Sequence, residues 1–287
     1  MSLSVADALR DGLSRTFERS GLQLIVVFVV LRALSTVADD TLTRANVELA
    51  QELGGLPGGA TAEFLPFLAD APTPYALGVG LLWGAVIVLV VAVIAEAVRI
   101  VAVRTLVSDR TDAVPAAFVS RNIVAATLNG FVGGIVVLTL TAIGLLVLVV
   151  PGVFLALSFF FVRQEIAVRD VNFVDAMAGS WELTSGSRIE LLGLAAVIVF
   201  VGILASIPGV AIGFASPAVG TTVGIVARAG VLVFGIASAA RAYDQLRAER
   251  DGLEDAEEEE APPDEPEEPN YEDALSADDL APPDAEG

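Results

Sequence analysis

IVAATLNGFVGGIVVLTLTAIGLLVLVVPGVFLALSFFFV, residues 123–162, is the stretch that decides the fold: it holds no charged residue and is interrupted in its middle by Pro151-Gly152. As one helix it would run roughly 60 Å at about 1.5 Å per residue, twice the roughly 30 Å hydrocarbon core of a bilayer. Proline removes a backbone donor and its ring clashes with the carbonyl four residues back, while glycine takes turn geometry freely. The run is therefore expected to double back at Pro151 and Gly152 as two antiparallel membrane helices, which makes these two residues topology-defining.

Working outward, further apolar runs recur from Leu22 to Ala240, and the expected fold class is all-α, a polytopic membrane bundle of about six helices. The spans are placed at 21–38, 75–103, 123–150, 152–168, 189–207 and 219–240, with an outer loop at 39–74. Asp39 and Asp40 would cap a short helix in that loop, and Gly54-Gly55, Pro57, Pro66, Pro72 and Pro74 forbid long regular structure beyond it. Composition agrees: 55% of residues are hydrophobic, mean hydropathy is +0.72, and 18% are charged, against about 25% in soluble domains.

Three segments flank or interrupt the spans. Residues 1–20 place Val5, Leu9, Leu13 and Phe17 four apart among charged neighbours, which reads as an amphipathic helix lying on the cytoplasmic membrane surface. Residues 172–186 form a second surface element, with Phe173, Met177 and Trp181 every fourth residue, Asn172 as a cap and Gly186 as a stop. Residues 244–287 form an acidic cytoplasmic tail, expected to be disordered because it lacks the apolar content to offset chain entropy.

Charge is divided unevenly. Of 36 acidic residues, 17 lie from Asp251 onward with no basic residue among them, so residues 1–250 carry 16 arginines against 19 acids, a net of −3, and the rest of the −20 belongs to the tail. No basic surface is offered to phosphates of a nucleic acid, which excludes that class of partner. The tail is read first as a solvating segment, and around Tyr271, Leu275 and Leu280 it could also dock a cytoplasmic protein partner. An acidic chain without lysine points to a halophilic origin, where dense carboxylates keep a surface hydrated in salt.

Orientation follows from the arginines. With the N-terminus inside, eleven fall in inner segments (Arg10, Arg15, Arg19, Arg104, Arg110, Arg121, Arg169, Arg188, Arg241, Arg247, Arg250) and only Arg44 in an outer one. The bias of basic residues toward the cytoplasm then puts both termini of a multi-pass cell-membrane protein on the cytoplasmic side. Tyr75, Trp181 and Tyr243 are expected as interfacial anchors.

Missing residue types limit the chemistry. The chain has no His, Cys or Lys, hence no imidazole base, thiolate, lysine Schiff base or P-loop, and no usual zinc site. No catalytic residue, cofactor or metal is expected, and the chain is not expected to be an enzyme. The candidate polar site within the membrane is Arg32, Glu96, Arg99 and Arg228, with Arg163 nearby, because a charge at bilayer depth costs at least about 2.5 kcal/mol and persists only when paired or facing water. Glu96 and Arg99, three apart, share a helical face and would pair. Glu96 or backbone carbonyls are the expected partner of Arg228. Glycines four apart (Gly80 and Gly84, Gly130 and Gly134, Gly209 and Gly213, Gly220 and Gly224) let helices approach closely, either within one bundle or in a homo-oligomer. Val150-Pro-Gly-Val153 echoes Ile207-Pro-Gly-Val210, as if hairpins repeated, with Pro57-Gly58 a third such site.

Pro151-Gly152, Ile166-Ala-Val-Arg-Asp170 and Asp175-Ala-Met-Ala-Gly-Ser-Trp-Glu-Leu-Thr-Ser-Gly186 give the chain a resemblance to a known group. It resembles the membrane domain that accompanies some glycerophosphodiester phosphodiesterases, and related six-helix membrane proteins of prokaryotes, halophilic archaea included. The resemblance implies that catalysis in those enzymes resides in a separate soluble barrel with histidine and acidic metal ligands. This chain has neither, so hydrolase activity does not carry over. Three roles remain: a non-enzymatic accessory or scaffold protein among membrane lipids; a transporter or channel for a small solute or lipid headgroup; and a membrane-embedded enzyme, which would require two acids converging on one cavity that the sequence does not offer. Polar groups paired in a dry core would favour the first, and an open path reaching them the second.

Overall fold

The computed structural model describes residues 3–52, 73–108 and 110–260. Over these it is helical without strands: α1 (Val5–Phe17), α2 (Arg19–Glu52), α3 (Leu81–Val107), α4 (Ala116–Ser120), α5 (Ile123–Val147), α6 (Val149–Ser158), α7 (Val162–Arg169), α8 (Phe173–Thr184), α9 (Arg188–Gly213) and α10 (Pro217–Glu260). Six helical stretches are long and apolar enough to cross a membrane: Arg19–Glu52, Leu81–Val107, Ile123–Val147, Val149–Arg169, Arg188–Gly213 and Pro217–Gly252. Their outward faces carry large apolar side chains such as Leu82, Leu146 and Phe200, which suit a hydrocarbon surround and would be costly in water.

The central hairpin forms, but its break lies at Leu148, three residues before the expected Pro151. Leu148 is extended at φ −157° and ψ 146°, α5 ends at Val147, and Pro151 sits in the first turn of α6. The proline ring excludes a helical carbonyl four residues back, at Val147, while its own missing donor costs nothing in a first turn. Gly144 and Gly152 bring the two arms together, since a Cβ on Gly144 would lie 2.8 Å from the Gly152 Cα.

Pro208 is a second correction. It lies inside α9, which runs on to Gly213, and the turn follows at 214–216 with Pro217 opening α10. A membrane helix tolerates the lost hydrogen bond, so the Pro-Gly echo has no common geometry. Gly209 packs here instead, where its Cβ would lie 3.0 Å from the Gly224 Cα. These glycines join α9 to α10 within the chain.

The expected outer loop begins later than residue 39. Helix α2 continues through Asp39 and Asp40 to Glu52, so neither acid caps a helix. The helix survives because both side chains near this point hold the next segment: Asp40 accepts from the Tyr75 amide at 3.2 Å, Thr41 from the Leu77 amide at 2.9 Å, and Arg44 pairs with Glu48 at 2.8 Å. Residues 53–72, with Gly54-Gly55, Pro57, Pro66 and Pro72, lie outside the described residues. The second span starts at Leu81 and the fourth is two helices, α6 and α7, separated by turns at 159–161.

Helix α1 buries only part of the expected stripe, since Val5 and Leu9 pack against the core while the stripe's second half does not. Ala8, Gly12, Arg15 and Thr16 are buried, whereas Leu13 and Phe17 are exposed. The reason is Gly12, which lets α1 approach α10 so closely that a Cβ there would fall 2.7 Å from the Ser238 backbone. Ser4 caps its N-terminus. Helix α8 is capped by Asn172, which accepts from the Val174 and Asp175 amides, and is followed by Gly186 at φ +92°.

Packing gathers in three buried clusters: Phe161 and Tyr243 with Leu191 and Leu194; Leu24, Phe28 and Leu31 with Ala102, Leu106 and Val233; and Ile100, Val103 and Ala126 with Ile166 and Ala176. Contacts divide the chain into Met1–Arg247 and Ala248–Gly287. In the second unit residues 248–260 are helical, which corrects the expectation of disorder from residue 244, and residues 261–287, including Tyr271, Leu275 and Leu280, lie outside the described residues.

Candidate functional site

Helix α3 carries Glu96 and Arg99 one turn apart, and α7 presents Arg163 to them. The Arg163 guanidinium grips Glu96 at two points, Nε to Oε1 at 2.7 Å and Nη2 to Oε2 at 3.2 Å, while Arg99 Nη1 donates to Oε2 at 3.3 Å. The Glu96 side chain is 4% exposed. It can be so deep because α5 offers Gly130 opposite, where a Cβ would lie 2.9 Å from Oε1. A carboxylate at membrane depth is thereby fully paired, and two arginines share one counter-charge.

Arg99 and Arg163 line one side of a cavity of about 620 Å³, and Arg32 from α2 and Arg228 from α10 line the rest of its polar part, with Ser35 and Gln164. Among the described residues neither the Arg32 nor the Arg228 guanidinium makes a hydrogen bond or ion pair, and both residues are exposed. Glu96 is therefore not the partner of Arg228, a correction with a simple cause: Arg163 and Arg99 already occupy both carboxylate oxygens. Four arginines against one acid leave the cavity with an excess of three positive charges. Its remaining lining is apolar, with α9 supplying Ala195, Ile198, Val199 and Gly202.

Further polar groupings hold the helices together. Arg104, near the C-terminal end of α3, spends its guanidinium on the Ala167 carbonyl (2.8 Å), the Phe118 and Arg121 carbonyls (3.1 and 2.6 Å) and Asp170 Oδ1 (2.6 Å). Asp170, left-handed at φ 54°, also pairs through Oδ2 with Arg121 at 3.0 Å. Glu165 of α7, 1% exposed in its side chain, accepts from Arg169 at 2.8 Å and from the Tyr243 hydroxyl at 3.0 Å, and Arg247 donates to that hydroxyl at 2.9 Å. Arg15 donates to the Ser108 carbonyl and pairs with Glu18 at 3.0 Å, and Arg241 donates to the Leu106 and Val107 carbonyls.

Tyr243 is thus a fully buried core residue and not an interfacial anchor. Tyr75 and Trp181 are 41% and 42% exposed. Trp181 stacks edge-on against Phe154 with ring centres 5.5 Å apart, and the Arg188 guanidinium lies over both rings, 4.6 Å from Phe154 and 5.2 Å from Trp181. Glu165 is the buried acid that periodicity missed. Its signal was an acid amid the apolar density of residues 153–168 with Arg169 one turn on, but only contact with α10 shows that it faces inward. Among the described residues no three acids gather as metal ligands.

A family profile described as a domain of unknown function, DUF7847, matches residues 3–246, nearly the whole of the helical bundle. No curated protein and no solved structure matches the chain.

Proposed function

The chain belongs to the DUF7847 family, and on that footing we propose that it is a non-enzymatic membrane protein that binds an anionic group, a small solute or a lipid headgroup, for passage or presentation within the bilayer. One observation carries the reading: among the described residues Arg32 and Arg228 have no acceptor of their own, yet both line a single cavity beside the Glu96 pair. A guanidinium at this depth costs at least about 2.5 kcal/mol unless it meets water or an anion. Two such groups in one cavity are accounted for by an anion that both contact, since the arginine fork suits carboxylate and phosphate oxygens. The volume lies within the roughly 300–1,000 Å³ of small-molecule sites.

The accessory or scaffolding role remains the alternative. The Arg104 and Glu165 groupings serve it well, being paired and buried, but it leaves Arg32 and Arg228 without a reason. The arginine bias supports a cell-membrane setting with both termini cytoplasmic, and α1, with Leu13 and Phe17 uncovered, suits a lipid surface there. The kinship with phosphodiesterase membrane domains and a halophilic source belong to the same proposal, as do a tail-bound partner and a homo-oligomer.

Phenylglyoxal, which modifies accessible guanidiniums, tests the reading on the solubilised full chain with peptide mass mapping. Arg32 and Arg228 should react, and a saturating anionic lipid should slow both several-fold, while the buried Arg104 stays unmodified throughout. Equal rates with and without every anion tried, inorganic and lipid, would refute the site.

A further inference from the structure

We propose that the anion held in the arginine-lined cavity carries two negative charges on one oxyanion group, free or at the head of a lipid, and that Arg99 contacts it together with Arg32 and Arg228. This rests on the anion-binding reading and adds the charge of the ligand and a third contact.

Charge is the first argument. The charged side chains lining the cavity are Arg32 of α2, Arg99 of α3, Arg163 of α7 and Arg228 of α10, and α9 contributes none. One acid answers them, Glu96, which pairs with Arg99 and Arg163. Four positive charges less one leave three. A singly charged ligand would still leave two of these unmatched in one cavity at membrane depth, where a charge persists only when paired or facing water. A doubly charged group leaves one. The same surroundings keep such a group fully ionised, because nearby positive charge favours the charged form of an acid.

The unequal sharing of Glu96 makes the second argument. Arg163 holds the carboxylate through two bonds, at 2.7 and 3.2 Å, whereas Arg99 reaches only Oε2, at 3.3 Å, an oxygen that Arg163 Nη2 already occupies. A guanidinium carries five N–H donors, and among the described residues Arg99 Nε and Nη2 make no hydrogen bond. The Arg99 side chain is 39% exposed and borders the cavity, which leaves this unused edge to a ligand. Arg163 differs. The Nε and Nη2 edge of its fork is committed to Glu96, and it also borders a second cavity between α5 and the α6–α7 pair.

The acceptors then match the donors. A phosphate monoester presents three strong acceptor oxygens and, above its second ionisation at about pH 6, two negative charges. Three guanidiniums can each take one oxygen in a charge-assisted bond. A phosphodiester has one charge and two free oxygens, enough for Arg32 and Arg228 alone.

The full chain in phosphatidylcholine nanodiscs, titrated with methyl phosphate and dimethyl phosphate against empty nanodiscs, tests this. At about pH 8 methyl phosphate should bind at least about tenfold more tightly than dimethyl phosphate, and its affinity should fall several-fold by about pH 5 as its second charge is lost, while dimethyl phosphate holds steady. The arginines stay charged throughout and Glu96 is common to both probes, so the difference belongs to the ligand. Arg99→Gln leaves the Arg163 bonds to Glu96 in place and should cost methyl phosphate about tenfold but dimethyl phosphate less than about twofold, whereas a merely structural change would weaken both alike. R32Q/R228Q should lose both esters. Helical circular dichroism and a single elution peak identify folded variants. Nanodiscs carrying phosphatidic acid or phosphatidylglycerol at matched surface charge separate the sources: loss of methyl phosphate binding with phosphatidic acid alone supports a lipid head, and its retention with both supports a free anion. Equal affinities for the two esters, or equal competition by the two lipids, with binding lost in R32Q/R228Q, would overturn the double charge and keep the anion site. Arg99→Gln weakening both esters alike, or neither, would overturn the third contact. Binding of neither ester nor phosphatidic acid, or unchanged binding by R32Q/R228Q, would overturn the anion site itself.

Discussion

Arg104→Leu should destabilise the bundle by about 3–5 kcal/mol, the range for removing one partner of a buried charge pair, and lower the thermal midpoint in detergent by roughly 10 °C. The side chain is 2% exposed and its guanidinium joins three parts of the chain: the end of α3, the α4 segment through the Phe118 and Arg121 carbonyls, and the α7–α8 junction through the Ala167 carbonyl and Asp170. Leucine would remove the donor to the Phe118 and Arg121 carbonyls, leave the Ala167 carbonyl with only the longer Arg121 contact at 3.4 Å, and leave Asp170 with Arg121 alone. Arg104→Lys should recover little, because one ammonium cannot span acceptors set out for a planar fork. An unchanged midpoint in either variant would show that these contacts do not hold the bundle.

Glu96→Leu is expected to be at least as damaging, and for the opposite charge. It strips the counter-ion from Arg99 and Arg163 together, at about 2.5–3.5 kcal/mol for each arginine left at the centre of a membrane helix. Arg163→Leu should cost less, since Arg99 remains beside Glu96. The double variant Glu96→Leu/Arg163→Leu should then be more stable than the sum of the two, with a coupling of about 0.5–3 kcal/mol. Strict additivity in thermal unfolding would mean that the pair seen at 2.7 Å contributes nothing.

The pattern of residues carried the six-helix bundle because uncharged runs of membrane length admit few other structures. Helix ends were less legible. Pro151 acts on the carbonyl four residues back, so the turn falls at Leu148 and the proline itself is helical. Asp39-Asp40 reads as a cap until Tyr75 and Leu77 supply the amides that Asp40 and Thr41 hold within an unbroken helix. Pro208 reads as a turn until Gly209 and Gly224 show why the helix continues past it.

The polar site was legible to a similar degree. Charged residues inside apolar runs stand out, which named Arg32, Glu96, Arg99 and Arg228, and the Glu96 and Arg99 spacing predicts their contact. Partners from distant segments do not follow from spacing. Arg163, only placed near the polar site by the sequence, pairs with Glu96, and together with Arg99 it leaves Arg228 without the acid expected for it. Tyr243 closes an apolar run as an anchor would, and only the buried Glu165 on another helix reveals why it is inside.

Native mass spectrometry of the full chain released from gentle detergent tests most directly whether the cavity is an anion site. The account predicts that the wild type retains an anionic lipid or added dodecyl phosphate at one equivalent, and that R32Q/R228Q, equally folded, does not. Equal retention by both, or exclusive retention of neutral lipid by the wild type, would contradict it.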